Sequence, residues 1–320
     1  MLNKNIFHPE RFQGVNKRKQ YFEGWYFKCL NESGDVALAL IPGVAMDSVG
    51  NKQSFIQVLD GKDHTATYHK FDFESSQYDP NSFDIRIADN HFNAGSISLN
   101  LPELKGELQF TQHSPWPGSL LSPGIMGPFA FVPLMECYHG IVSMDHSISG
   151  SLQYRGQSIS FDMGRGYIEK DWGKSFPSAY IWLQANHFSR ERISLKVSVA
   201  NIPWLGSSFV GFIGGLLIDD KLYQFTTYNG SRIQQSYADK EKVLITLENK
   251  RYRLEINAQR DHATELASPI AGHMDGRISE SMTSAFDIPL IQKNNGQLLL
   301  SDHSQHAALE VAGLIKQIMI

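Results

Sequence analysis

Charge is what this 320-residue chain has least of. Asp, Glu, Lys and Arg make up 19% of it, below the roughly 25% of ordinary soluble domains. With 29 Lys+Arg against 33 Asp+Glu the formal net charge is -4. That balance excludes nucleic acid as the main partner, because phosphate recognition needs concentrated Lys and Arg. Cysteine is sparser still. Cys29 and Cys137 are too few for a disulfide framework and read as two reduced thiols of a cytoplasmic protein. The opening residues 1–9 carry no apolar h-region, so no signal peptide is expected. Helical periodicity is thin as well. Only the tail, residues 307–320, has some helical spacing, and Ala308-Leu309-Glu310-Val311-Ala312 fits a strand equally well.

Long apolar runs that could span a membrane are also missing. Residues 114–135 are uncharged but contain Pro115, Pro117, Pro123, Pro128 and Pro133, and five prolines cannot sit in one spanning helix. Residues 202–218 are uncharged but short, and broken by Pro203, Gly206, Gly211, Gly214 and Gly215. The common motifs are absent too. There is no phosphate-binding loop, Gly164-x-Gly166 lacks a third glycine and a following helix, and no G-x-S-x-G elbow occurs. His303 with His306, and His64 with His69, lack a third ligand. Neither a metal nor a cofactor is expected.

Aromatics and strand patterns are plentiful. The 19 Phe, 12 Tyr and 5 Trp exclude a disordered chain and suit a greasy ligand. Ile193-Ser194-Leu195-Lys196-Val197-Ser198-Val199 alternates with period two, as a half-buried strand does. Hairpins are predicted at 216–225, 243–256 and 147–162. Earlier strands are predicted at 35–41, 53–59, 65–73, 82–88, 91–99 and 106–111. Many short strands parted by Gly, Asn and Asp turns indicate an all-β antiparallel sandwich or barrel. The hairpin pattern stops between Phe161 and Asn186, which divides the chain into a unit at 1–165 and a unit at 166–320, with the dense segment 164–188 at the junction.

Two clusters stand out. Tyr21-Phe22-Glu23-Gly24-Trp25-Tyr26-Phe27-Lys28 holds five aromatics in eight positions. On a strand, Glu23 shares a face with Trp25 and Phe27. A carboxyl in apolar surroundings is held neutral and can donate a proton; the alternative is a core strand whose Glu pairs with an Arg or Lys. The second cluster runs from Tyr167-Ile168-Glu169-Lys170-Asp171-Trp172-Gly173 to Tyr180-Ile181-Trp182-Leu183-Gln184-Ala185-Asn186-His187-Phe188. Alternation there places Tyr180, Trp182, Gln184, Asn186 and Phe188 on one face, aromatics beside neutral amides, a lining suited to a hydroxylated ring. The alternative is an amphipathic strand whose amides satisfy buried backbone groups.

These clusters resemble the two signatures of the tocopherol cyclase family. The first matches at residues 19–28. The second matches at Glu169-Lys170-Asp171-Trp172-Gly173-Lys174-Ser175-Phe176-Pro177, then Trp182, Gln184, Asn186 and Phe188. His8-Pro9 with Gly14, and Phe131-Val132-Pro133 leading to Glu136, are similar as well. The resemblance implies two lipocalin-like, calycin-type β-barrels with a pocket between them, an architecture shared with carotenoid hydratases and pericyclase-like proteins. It also implies closure of a chromanol ring: a prenyl double bond is protonated and the neighbouring phenol oxygen attacks the resulting carbon. On that reading Glu169 or Asp171, with Glu23 and Glu136 as further candidates, supplies the proton. Trp25, Trp172 and Trp182 line the cation path, Gln184 and Asn186 orient the phenol, and Tyr26 and Phe188 complete the lining. Residues 114–135 form a lid or greasy mouth. The partner is a hydrophobic prenylated aromatic, and the greasy segments allow transient contact with a membrane surface. Two departures matter. Asp171 stands where the family has Asn, and Cys137-Tyr138-His139 does not reproduce the family's order, so no role carries over to His139. A ligand carrier without a proton donor and a hydratase remain as alternatives to the cyclase.

Overall fold

The computed structural model describes residues 4–204 and 206–320; the first three residues of the opening segment, and Leu205 of the uncharged stretch 202–218, lie outside the described residues. Two antiparallel sheets account for nearly all of it, as the lipocalin-like, all-β expectation requires. Among the described residues no helix is long and apolar enough to cross a membrane.

The first sheet is built from β1 (Tyr21–Leu30), β2 (Ala37–Met46), β3 (Lys52–Asp60), β4 (Thr65–Asp72), β5 (Ser76–Tyr78), β6 (Asp84–Ile87), β7 (Asn90–Asn93), β8 (Ser96–Asn100), β9 (Leu104–Thr111), β10 (Cys137–Tyr154), β11 (Gln157–Ser160) and β12 (Gly164–Gly173). The second uses β13 (Ala179–Ala185), β14 (Ile193–Trp204), β15 (Ser207–Ile218), β16 (Lys221–Thr226), β17 (Arg232–Ala238), β18 (Lys242–Glu248), β19 (Tyr252–Gln259), β20 (Thr264–Ile270), β21 (His273–Gln292) and β22 (Gln297–Gly313). Residues 1–176 with 266–277 form one compact unit, and 177–265 with 278–320 the other. The division falls between Phe176 and Pro177 rather than at 165, because 164–173 pairs along its whole length as β12 between β1 and β10.

Local chemistry explains the turns. At the β10–β11 hairpin, Arg155 (φ 49°) and Gly156 (φ 81°) take the left-handed conformation that matches strand twist. The segment predicted as one strand at 91–99 breaks in two, because Asn93 Oδ1 accepts from the N–H groups of Gly95 and Ser96 at 2.7 and 2.9 Å and folds the chain back. The tail is strand through Gly313, followed by one short 3-10 turn. β14 departs from the half-buried expectation. Ile193, Leu195, Val197 and Val199 enter the core, but Ser194 and Lys196 on the other face are also fully buried.

The first core is an aromatic stack. Trp25 lies parallel to Tyr78 and Phe83, and Phe27 to Phe83 and Phe110. Into the same side of the sheet project two charges, Glu23 and Lys170, both with no solvent exposure. They form an ion pair, and the Lys170 ammonium also donates to the Arg11 carbonyl. Gln13 N–H donates to both Glu23 oxygens, at 2.8 and 3.1 Å, and the Tyr21 hydroxyl donates to Oε2 at 2.6 Å. The ammonium lies over the Trp25 ring at 4.6 Å and the Trp172 ring at 4.9 Å. Burial pulls the Lys170 pKa below its ordinary value, and the Glu23 carboxylate opposes the shift. The structure therefore realises the ion-paired alternative for Glu23. Its oxygens are committed to anchoring the segment 10–13, which Trp25 Nε1 also holds by donating to the Glu10 carbonyl at 2.8 Å.

A second buried titratable group is His146. Its ring packs on Phe110, with centroids 4.7 Å apart, beside His113 at 5.0 Å, and Nδ1 lies 3.3 Å from Ser143 Oγ. A Cβ on Gly166 would come within 2.1 Å of His146 Nε2, so only glycine fits opposite the ring. Burial, and secondarily His113, holds the His146 pKa well below its ordinary value.

Two predictions arise. Lys170→Met leaves Glu23 as an uncompensated buried charge and should cost about 3–5 kcal/mol in urea unfolding, whereas Glu23→Gln combined with Lys170→Met should cost less than the two single changes added together. Strict additivity would contradict the pairing. For His146, the folded state binds fewer protons than the unfolded chain, which takes one up near pH 6.5. Its stabilisation is complete above that pH and is lost as the pH falls below it. The melting temperature should therefore drop between pH 7 and pH 5, and His146→Phe should flatten the drop; equal slopes would refute the assignment.

Candidate active site

Strand pleating sorts the first-unit candidates onto two sides of one sheet. In β12, Ile168, Lys170 and Trp172 point to the aromatic core. Tyr167, Glu169 and Asp171 point to the other face. The antiparallel register sets Tyr26 of β1 opposite Glu169, and Gly24 opposite Asp171. From the other side β10 brings Ile141 opposite Glu169 and His139 opposite Asp171. Glu169, Asp171 and Tyr26 thus share a face with His139, while Glu23, Trp25 and Trp172 lie on the core side and are not brought to them. Trp172 stacks on Tyr138 with centroids 5.6 Å apart.

His139 joins the two carboxylates. Its Nδ1 is 2.7 Å from Asp171 Oδ1, and its Nε2 is 3.4 Å from Glu169 Oε2. The Asp171 carboxylate accepts, which places the ring proton on Nδ1 and turns Nε2 toward Glu169. The Tyr167 hydroxyl donates to Glu169 Oε2. Burial and the adjacent Glu169 carboxylate raise the Tyr167 pKa well above its ordinary value, so it remains a donor. The histidine side chain is 10% exposed, Glu169 4% and Asp171 23%, so the Asp171 end of the cluster is the most open to solvent. Cys137 Sγ lies 3.8 Å from Asp171 Oδ1, and burial followed by the Asp171 charge raises its pKa well above the usual thiol value, keeping it a protonated donor. Opposite Asp171, Gly24 leaves space: a Cβ there would find nothing nearer than 3.8 Å.

Glu136 stands apart, in the loop before β10. Burial raises its pKa and Lys174 opposes the shift, and its carbonyl accepts from Lys174 N–H at 2.8 Å.

In the second unit β13 sorts its side chains the same way. Ala179, Ile181, Leu183 and Ala185 enter the apolar core. Tyr180, Trp182 and Gln184 occupy the opposite face, where the Tyr180 hydroxyl donates to Glu310 Oε2 at 2.7 Å and Lys196 Nζ donates to Ser198 Oγ at 2.7 Å. Gln184 and Asn186 are buried. The expected face does not extend to Phe188, because β13 ends at Ala185; Phe188 packs against the apolar core instead.

His139, Glu169 and Asp171 hold ligand atoms within 4.8 Å of one another, a spacing that would admit a metal ion. The hydrogen bond to Asp171 occupies Nδ1, however. Nε2, the Glu169 oxygens and Asp171 Oδ2 remain, and of these Glu169 Oε2 already accepts from the Tyr167 hydroxyl. The arrangement resembles a carboxylate-oriented imidazole facing an acid. Accordingly, prior dialysis against a chelator should leave activity within about twofold, and restoration of a lost activity by added Zn²⁺ would contradict this assignment.

The family described as tocopherol cyclase-like matches residues 107–313, which include His139, Glu169 and Asp171. A probable chloroplastic tocopherol cyclase of Oryza sativa subsp. japonica is 25% identical over 197 residues, covering 58% of this chain and 42% of that protein. The chloroplastic tocopherol cyclase of Zea mays is 23% identical over 197 residues, 58% of this chain and 41% of its own length. The chain thus spans about two fifths of the length of these curated relatives. Among solved structures, CghA with Sch210972 superposes with a TM-score of 0.58 at 10% identity, covering 92% of this chain and 88% of that one. CghA alone gives 0.57 at 12% identity with the same coverage. At these identities the likeness shows the fold. With the family matched over well more than half of its residues, the chain belongs to the tocopherol cyclase-like family.

Proposed function

We propose that the protein is an acid-catalysed cyclase of a prenylated hydroquinone, with Glu169 as proton donor and His139 as its partner in holding the proton. The observation that carries this reading is the imidazole held between two carboxylates on a buried face. Asp171 fixes the tautomer that turns Nε2 toward Glu169, 3.4 Å away, so that a proton entering between them can be held by either group. In the reaction that proton moves to a carbon of the side-chain double bond, leaving a tertiary cation. The phenol oxygen forms the new C–O bond and its proton returns to the Glu169–His139 pair. Atoms balance, the acid is regenerated and the product is an isomer of the substrate. Burial shields the acid from water, which protonation of an unactivated alkene requires. Tyr26 lies opposite Glu169 in the register and offers a π-face to the cation. Trp182, Gln184 and Asn186, expected as lining, belong to the second unit, where Gln184 and Asn186 are buried.

Two features bear on the alternatives. A lipocalin-type carrier holds its ligand inside the barrel, but the core side of the first sheet is filled by Trp25, Phe27, Phe92, Phe110 and the Glu23–Lys170 pair. Glu23 has its own full set of partners, so its role is to anchor the segment 10–13, and Trp25 and Trp172 serve that anchor.

The test is incubation with a prenylated hydroquinone followed by mass spectrometry. Cyclisation leaves the mass unchanged and produces a chromanol; hydration adds one water; a carrier returns the input. Glu169→Gln and His139→Gln should each lower turnover by about 10²–10⁴-fold, the usual worth of a positioned acid or base. Asp171→Asn should lower it less. Full turnover in Glu169→Gln would end the proposal.

A further inference from the structure

One glycine beside the His139–Glu169–Asp171 cluster has no neighbour that requires it. At every other glycine of β1, β2, β10 and β12 a Cβ would come within 2.4 Å of another atom; at Gly43 it would strike Phe55 Cζ, and at Gly140 Pro9 Cβ. Gly24 is different. The nearest atoms to a Cβ there are Ile41 Cγ2 at 3.8 Å and the Pro42 carbonyl oxygen at 3.9 Å. Its φ lies outside the left-handed region, and it pairs regularly with Gly43 on one side and Asp171 on the other. An alanine would fit and would strengthen the strand. A strand glycine that serves neither a bulge, a bend nor a close neighbour marks the approach of a ligand.

The space at Gly24 is also open. Gly24 is the single residue of β1, and Ile41 the single residue of β2, that is not buried. Residues paired across an antiparallel ladder share a face, so Gly24 lies on the Asp171 face. Tyr26 is two positions along β1 on one side of it and Phe22 two positions along on the other. A slot therefore crosses three strands, with the Asp171 carboxylate at one end, bare backbone at Gly24 as its floor and the Ile41 side chain at the other end.

We propose that the aromatic ring of the substrate lies flat on Gly24, in a subsite whose polar end is Asp171. Among the described residues, both hydrogen-bonding contacts of the Asp171 carboxylate, with His139 Nδ1 and Cys137 Sγ, fall on Oδ1. Oδ2 accepts a ring hydroxyl. Glu169 is two residues along β12, about 7 Å away, which matches the reach of a hydroquinone from one hydroxyl, across the ring, to the double bond of its side chain. A ring bound in this way gives its remote hydroxyl to Asp171 and its double bond to Glu169. The prenyl chain is disfavoured at the same place, because it has no donor for a carboxylate withdrawn from water. That the ring belongs to a prenylated hydroquinone rests on the cyclase reading; that a hydroxylated ring sits at Gly24 does not.

Equilibrium dialysis of the full chain with methylhydroquinone, a ring without a prenyl chain, tests the subsite under nitrogen. The wild type should bind this ring. It should bind 1,4-dimethoxy-2-methylbenzene, which has no hydroxyl to donate, about tenfold or more weakly, the worth of a hydrogen bond to a charged group. Gly24→Ala, whose methyl lifts the ring off the backbone, should bind methylhydroquinone severalfold more weakly with no loss of melting temperature, and Gly24→Leu about tenfold or more weakly. No binding by the wild type, equal binding of the dimethoxy ring, or unchanged binding in Gly24→Ala would overturn the subsite; should Gly24→Leu fail to fold, Gly24→Ala decides. Ring binding requires no turnover. A wild type that binds the ring but yields no cyclised product from a prenylated hydroquinone counts against the cyclase reading alone, whereas cyclisation at the wild-type kcat/KM in Gly24→Leu counts against the subsite alone.

Discussion

Everything at the candidate site depends on how β12 is held against β1. Lys170 is the residue between Glu169 and Asp171, so it points to the opposite side of the sheet from both. There its ammonium is fixed by Glu23, by the Arg11 carbonyl and by two indole faces. A strand anchored by a buried ion pair cannot slip by one residue, since a slip would carry Lys170 to the other face and exchange every side chain with it. The pair is costly to bury, and its worth lies in register more than in net stability. That register brings Glu169 and Asp171 side by side on one face, with Tyr26 and Gly24 across from them on β1.

β10 then supplies the third group. Its pairing with β12 is regular from Cys137 to Ile141, and register shifts follow only between Ile141 and His146. His139 therefore meets Asp171 in a regular part of the ladder, where its ring has little freedom to turn. The Asp171–His139–Glu169 line orders the groups by access: Asp171 is the most exposed and Glu169 the least. An acid that must act on a greasy substrate without losing its proton to water belongs at the buried end, and Tyr167 adds a hydrogen bond there that fixes the orientation of the carboxylate.

Much of this was readable from the residues, and the parts that were not have physical reasons. Alternation located β14 and the hairpins around Asn249 and Arg155, because local turn chemistry and a period of two are short-range signals. It also placed Glu23 with Trp25 and Phe27 on one face, although only the long-range pairing with Lys170, 147 positions away, could distinguish an acid from an anchor. His139 escaped for the same reason. Its partners lie 30 and 32 positions on, across a strand pair that no local pattern announces, and its motif neighbours differ from those of the resembled family. The strand His273–Gln292 carries no sustained alternation in its sequence because register shifts at Ser281 and Ser284 interrupt it. Phe188 leaves the face that alternation predicts because β13 ends at Ala185, three residues before it.

The central claim is that Glu169 and His139 deliver a proton to carbon. The most direct measurement is the reaction run in D₂O with a prenylated hydroquinone, reading the product by mass spectrometry and NMR. The account predicts one non-exchangeable deuterium on the carbon next to the new C–O bond, formed at a rate that collapses in Glu169→Gln. A ring-closed product with no deuterium at that carbon would contradict it.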